Sequence, residues 1–436
     1  MLDSVAQRFL GLVPDRQFCS LRVVREHTEE IRVRRGVVQP VHDSVDQGAM
    51  VTVVHDGGLG FAATSDMESS GLARALGRAS DWARYCAGRP VHDFSGVAWA
   101  HPKGRYVTPV ANAWLDQPLA DRIARIRQVC EQLPLDPRIV DWEASVMFVR
   151  TSTLYVTSDG GRVEQELFHL SPNIRVVANE GSETQVRTLG SLRGTSQQGG
   201  AEVLGRSGFE DGGPQLARQA IELLDAPQCP EGSMSILLDP DQMMLQIHES
   251  IGHPLELDRI LGDERNYAGT SFVDLDMFGT YRYGSPLLHV TFDPSIPEQY
   301  ASYGYDDEGT VAERTDIIRD GVLLRPLGAQ LSQARAGQSG VANARASSWN
   351  RPPIDRMANL NLEPGDQSFE ELVGQVERGV WMRTNKSWSI DDSRNKFQFG
   401  CELGQLIEEG QLKGLVQKPN YRGISETFWR SLSGVG

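Results

Sequence analysis

The residues best placed to do chemistry are His248-Glu249-Ser250-Ile251-Gly252-His253, an HExxxH pattern. Histidine is scarce, 9 of 436 residues, so a second one at a chosen offset is a roughly 2% event, and the adjoining glutamate makes chance rarer. Two neutral imidazoles can hold a divalent metal, and such a metal lowers the pKa of water toward ~7. A carboxylate beside the first imidazole can then take the proton as the water attacks a carbonyl. On this reading His248 and His253 are metal ligands and Glu249 is the general base. The bland alternative is two polar histidines on a surface helix.

The spacing carries a geometric demand. At ~100° per residue, position i+4 lies ~40° round an α-helix from i, whereas i+5 lies ~140° round. An undistorted helix cannot aim both rings at one ion, so the chain must end, bulge or unwind between them. Gly252 permits this at the least steric cost, and Pro254 cannot donate to a continuing helix. Downstream Glu256 and Asp258 suit a metal site, because ligating histidines usually hand their second N–H to a carboxylate; they equally suit a solvated helix face.

The elements that must position this motif form an α+β pattern. The segment before it, SILL (235–238), reads as a strand, and Asp239-Pro240-Asp241 opens the helix that bears the motif. The stretch 226–232 (APQCPEG) interrupts both periodicities and divides the chain into an N-terminal α+β domain, 1–227, and a C-terminal domain, 233–436. The N-terminal half carries helices starting at Ser69 and near Asp116, whose stripes make Cys86 and Cys130 core thiols, and a helix over 214–227. Between them lie the hairpin around Asp56-Gly57-Gly58 and a meander of strands from ASVMFVR to TQVRTLG. The C-terminal half is strand-rich, with turns at Asp320-Gly321 and Glu409-Gly410, a capping box at Ser368 and Glu371 opening a helix that ends at Gly379, and a long mobile loop over 328–352. Mixed hairpins and separate helices indicate α+β rather than regular βαβ winding.

Composition narrows the partners. With 43 Lys and Arg against 58 Asp and Glu, the net charge is −15, which disfavours phosphate backbones and anionic membranes. No apolar run reaches the ~18–20 residues that span a bilayer, and the first residues lack a cationic start and apolar core of a secretory signal. Five scattered cysteines with no CxxC pair speak against a disulfide framework or zinc ribbon and favour a reducing cytoplasm.

Taken together, GLGFAATSD (58–66), HESIGHPLELDR (248–259), YASYGYDDEGTVAERT (300–315), DGVLLRPL (320–327), RPPIDRMANLNLEPGD (351–366) and FQFGCELGQLIEEG (397–410) span nearly the whole chain. In these stretches the chain resembles the TldD/PmbA proteins, also called modulators of DNA gyrase, which are peptidases with an HExxxH metal motif. The resemblance implies zinc held by His248 and His253, Glu249 as base, and a C-terminal domain that bears the metal. It also implies unfolded peptides or leader segments of peptide precursors as substrates. Family members assemble as dimers around a channel, so a homodimer or a heterodimer with a homologue lacking HExxxH is expected, and the retained motif matches the catalytic partner. The competing expectation is a non-catalytic, peptide-binding subunit.

That second expectation rests on a departure. In the family a cysteine in a Cys-Gly-Lys segment near the C-terminus completes the site, and this sequence stops at Gly436 without it. Two histidines alone hold zinc poorly, since catalytic sites normally supply three protein ligands. Weak metal binding is therefore expected, with a carboxylate such as Glu256 or a water in the third position; Cys401, inside a strand, reads as a structural thiol. Asp306, Asp307 and Glu308 could line the channel but also fit an acidic turn, His289 fits a sheet position, and Tyr303 or Tyr305 could donate to an oxyanion.

Overall fold

The computed structural model describes residues 2–14, 18–89, 92–191 and 194–436, and the architecture is α+β. A nine-stranded sheet dominates the first half. Its main order runs Gly58–Thr64, His42–His55, Phe18–Arg34, Ile139–Thr157, Arg162–Glu180, Lys103–Val107. The Asp56-Gly57 turn is as the sequence reading expected: both residues have positive φ, 45° and 75°, the geometry that matches a two-residue turn to strand twist. The meander is more continuous than expected. Ile139–Thr157 and Arg162–Glu180 are 19-residue strands, because Thr151 and Ser152 still pair with Leu167 and Glu166 despite breaking the apolar pattern. Ladder hydrogen bonds use backbone groups that every residue carries, proline lacking only the N–H.

Two groups of helices cover one face of this sheet. Helix Ser69–Cys86 buries Leu72, Ala75, Leu76, Ala79 and Ala83 against Leu21, Val23, Val51 and Val53. It lies so close to the strand that a Cβ on Gly60 would sit 2.0 Å from the Ala79 carbonyl oxygen. Helices Leu119–Glu131 and Gly213–Asp225 pack a second core through Ile126, Val129, Cys130, Leu216, Ala217 and Ala220. Cys130 is buried as expected, whereas Cys86, at the last turn, is only half-buried. Asp116 closes a short 3₁₀ turn, Trp114–Asp116, and the helix begins after Pro118.

The second half is built on two larger sheets and a two-stranded one, Ala344–Arg345 with Ile354–Asp355. Ser235–Leu238 lies parallel to Arg378–Ile390, which continues antiparallel to Lys396–Glu408 and on to Gln411–Val416 and Asn420–Ile424. A four-stranded antiparallel sheet joins Val322–Leu323, Thr315–Arg319, Val290–Phe292 and Leu360–Leu362. The capping box forms, with Ser368 accepting from the Glu371 amide and Glu371 from the Ser368 amide. Its helix ends at Gly374, sooner than the sequence suggested. The segment 328–352 is likewise not a bare loop. It contains helix Gln330–Ala336 and docks on the first half: the Ser348 and Arg351 carbonyls accept from Arg22, at 3.1 and 2.8 Å, and Trp349 covers Gly48. Its weak periodicity reflects anchoring by single side chains rather than by a stripe.

A buried ion pair also links the halves. Arg187 Nη1 donates to Glu402 Oε2 at 2.8 Å, and Glu402 also accepts from the Thr188 amide and hydroxyl. Burial pushes Glu402 up to about 7 and Arg187 down, so desolvation exceeds the attraction on both partners. Removing one partner, Arg187→Met or Glu402→Leu, should cost ~3–5 kcal/mol in urea unfolding, and the double variant should recover most of it. Glu402 holds its proton to higher pH when folded than the ~4.3 of an unfolded glutamate. Folding therefore binds protons between those values, and this pair's contribution falls as pH rises through that window. The double variant should lack that slope.

Candidate metal centre

The motif sits where helix Pro240–Ile247 changes its winding. From His248 to Gly252 the backbone forms a π-helical turn, closed by the His253 amide donating to the His248 carbonyl. An i→i+5 bond stacks residues five apart one above the other, which is what HExxxH needs and an α-helix cannot give. The two imidazoles lie 4.5 Å apart between centroids at 81°. Ligand atoms of His248, Glu249 and His253 fall within 4.8 Å of one another, and among the described residues no other group of three or more His, Cys, Asp or Glu meets that spacing.

Ser250 explains the turn locally. Its hydroxyl donates to the Gln246 carbonyl at 2.6 Å, the acceptor that its own amide would use in an α-helix. Gln246 Nε2 and the buried Trp429 Nε1 donate back to the Ser250 hydroxyl at 2.8 and 2.9 Å, and the Tyr283 hydroxyl donates to the Ser250 carbonyl. Gly252 is needed for a different reason than expected. Its φ of −57° is helical, but a Cβ there would lie 1.8 Å from Met357 Sδ. Gly252→Ala should therefore cost ~1–3 kcal/mol through overpacking, and much less in a Met357→Ala background. If backbone freedom were the requirement, truncating Met357 would give no relief in thermal melts.

His253 Nδ1 faces Glu256 Oε2 at 2.9 Å, which leaves Nε2 free. Glu256 is fully buried and also accepts from Arg259 Nε and Nη2 at 3.2 and 3.0 Å. Burial opposes its charge, but the His253 contact and the Arg356 and Arg259 guanidiniums outweigh that and hold the carboxyl below its usual range. Glu256 thus stands behind an imidazole rather than in the third ligand position. Asp258 does not serve the histidines: it and Asp355 exchange side-chain bonds to each other's amides at 2.9 and 3.1 Å, and burial, followed by the facing Asp355 carboxyl, drives it upward. His248 opens onto the cleft but has protein on its other sides, and desolvation, reinforced by His253, pushes it down to about 4. It is neutral at pH 7, the ligating form. The donor set therefore fits a divalent metal such as zinc.

Glu249 is buried, with Arg394 Nη1 donating to its Oε2 at 2.6 Å. Nothing in the sequence marked Arg394, which reaches the motif from 145 residues away; Ser250 at least showed as a hydroxyl inside a helical pattern. Other candidates lie elsewhere. Cys401 is buried in the core with Val380, Phe399 and Tyr421, and burial raises its thiol. Tyr303 donates to the Ala342 carbonyl at 2.7 Å and Tyr305 to that of Lys103 at 3.4 Å. Asp306 caps the Glu308, Thr310 and Ala344 amides, and Asp307 pairs with Arg22. They form an acidic turn between the halves. His289 is half-exposed beside Asp320.

His248 lines a cavity of about 2470 Å³, together with Met243, Met244, Met357 and Trp381. That exceeds the ~300–1,000 Å³ typical of small-molecule sites. Its walls include Ser235–Leu238 and Leu360–Leu362, strands at the margins of their sheets.

Comparison with known proteins identifies the family. A "Metalloprotease" of Methanothermobacter thermautotrophicus is 27% identical over 96% of this chain and 88% of its own length. A "Zinc metalloprotease TldD homolog" of Saccharolobus solfataricus is 22% identical over 91% and 83%. The fold matches the crystal structure of a protein described as a modulator of DNA gyrase from Bacteroides thetaiotaomicron, with TM-score 0.78, 19% identity and coverage of 100% and 93%. It also matches TldE from Thermococcus kodakarensis, with TM-score 0.71, 14% identity and coverage of 99% and 93%. Family models for the PmbA/TldA metallopeptidases match residues 19–83 as domain 1, 112–225 as the central domain and 231–436 as the C-terminal domain. With the HExxxH histidine pair in the last of these segments and matches along most of its length, the chain belongs to the PmbA/TldD family of metallopeptidases.

Proposed function

We propose that this chain is a catalytic, zinc-dependent peptidase that hydrolyses unstructured peptides or leader segments of peptide precursors. The observation that carries the proposal is the π-helical turn that brings His248, Glu249 and His253 together, with His248 at the wall of a large cleft and Glu249 buried behind it. His248 and His253 would hold the ion, which when bound supplies Lewis acidity at the scissile carbonyl and acidifies water. Glu249 accepts a proton as water adds to the carbonyl carbon. It then returns the proton to the amine as the C–N bond breaks. Glu256 fixes the tautomer and direction of His253. The cleft is large enough for a main chain, and marginal strands along it suit an extended peptide paired through its backbone. A folded protein presents no such free segment.

Further parts of the proposal rest on composition and kinship. Residues 1–227 and 233–436 act as two domains. The chain works in the cytoplasm, where its five free thiols persist reduced, and it binds neither nucleic acid nor membrane; among the described residues no helix is long and apolar enough to cross a bilayer. It pairs with itself or with a homologue lacking HExxxH. One observation favours a second reading, a non-catalytic peptide-binding subunit: the described residues bring no third ligand to the histidines except Glu249 itself. Incubation with a disordered reporter peptide and with a folded protein, with and without chelator and a homologous partner, separates the two. Chelator-sensitive cleavage of the disordered peptide alone is the expected result; metal binding without cleavage in every mixture would favour the second reading.

A further inference from the structure

We propose that Arg394 is a positioning residue that keeps Glu249 a base by holding its carboxylate back from the metal. The inference rests on the metallopeptidase reading above. A carboxylate oxygen of Glu249 lies within 4.8 Å of the ligand atoms of both histidines, and two histidines with one glutamate form a complete zinc ligand set. Left free, this carboxylate would be drawn into coordination and lost as a proton acceptor. Arg394 is the competitor: its Nη1 donates to Glu249 Oε2 at 2.6 Å, a short, charge-assisted contact between side chains 15% and 6% exposed. The nearby guanidiniums of Arg259 and Arg356 contact Glu256 instead.

The surrounding backbone is committed to this placement. Arg394 has a φ of 63°, a left-handed conformation that a non-glycine side chain adopts at a cost. The turn is over-determined: Asp391 Oδ1 accepts from the Asn395 and Lys396 amides at 2.8 and 3.0 Å, and the Arg394 amide donates to the Asp391 carbonyl at 2.9 Å. The Ser425 hydroxyl donates to the Arg394 carbonyl at 3.1 Å. The facing loop is stitched to the same turn, with the Thr270 and Phe272 amides donating to the Asp392 and Ser393 carbonyls at 2.7 and 2.8 Å. That loop supplies the Ala268 carbonyl, which accepts from Arg394 Nη2 at 2.8 Å. The guanidinium is thereby held at two points with one nitrogen aimed at the base. An ion pair serving stability alone would not need a strained residue at its root.

The test is cobalt(II) titration followed by visible absorption, run beside peptide cleavage, on the full chain and on Arg394→Ala, Arg394→Lys and Glu249→Gln/Arg394→Ala. Arg394→Ala should bind cobalt ~10-fold more tightly, with a spectrum shifted by carboxylate entry, and lose ~10–100-fold in kcat with KM little changed. Arg394→Lys, which keeps a cation but not the two-point hold, should fall between. Added guanidine should return the Arg394→Ala spectrum toward that of the unaltered chain, and Glu249→Gln/Arg394→Ala should show no carboxylate signature. An Arg394→Ala protein that folds and gives the unaltered spectrum and affinity would overturn the proposal, as would the same spectral change in the Glu249→Gln/Arg394→Ala variant. If the unaltered chain binds cobalt but cleaves nothing, the peptidase reading fails while the cobalt comparison still decides the role of Arg394.

Discussion

Glu249→Gln should fold normally and keep its metal, yet lose peptide cleavage by ~10²-fold or more. The amide is nearly isosteric with the carboxylate, and its oxygen can still accept from Arg394 Nη1, so the turn around it should survive. It cannot accept the proton of the attacking water. The decisive comparison is kcat for the two proteins at matched metal content. Unchanged turnover in a metal-replete variant would remove Glu249 from the mechanism.

Glu256→Ala should be damaging twice over. It removes the acceptor that orients His253, which should weaken metal affinity ~10–100-fold. It also strands Arg259, whose side chain is fully buried, and an unpaired buried charge of this kind costs ~3–5 kcal/mol. Glu256→Gln, which leaves an oxygen for His253 and Arg259, should lose less of both. Asp258→Asn is the contrast: its carboxyl faces Asp355 rather than a histidine, so stability should change with little effect on metal affinity. Equal metal loss in Asp258→Asn and Glu256→Ala would contradict the division of labour between these two acids.

Much of this site was legible before any coordinates. HExxxH singled out three residues that the fold brings together, and the 140° problem required a break in helical winding at the place where the π turn occurs. The agent of that break was not legible, because Ser250 acts through Gln246, Tyr283 and Trp429, the last of which is 179 residues away. Gly252 was identified for the wrong reason: a sequence displays the absence of a Cβ but not the Met357 thioether that occupies its place. The split between Glu256 and Asp258 was equally hidden, since both suit a ligand's partner until Asp355 is seen to claim one of them. In the fold, two-residue turns and helical stripes read well because their signals are local. The 19-residue strands and the docked 328–352 segment did not, because they are completed by partners far along the chain.

The most direct measurement is a zinc titration of the purified chain beside His248→Ala, His253→Ala and Cys401→Ser. Weak binding of one ion is expected, abolished by either histidine replacement and unchanged in Cys401→Ser, because that thiol is shut in the core and absent from the cluster. Binding that survives His253→Ala, or that disappears in Cys401→Ser, would show that the metal lies elsewhere and that the paired histidines are not its site.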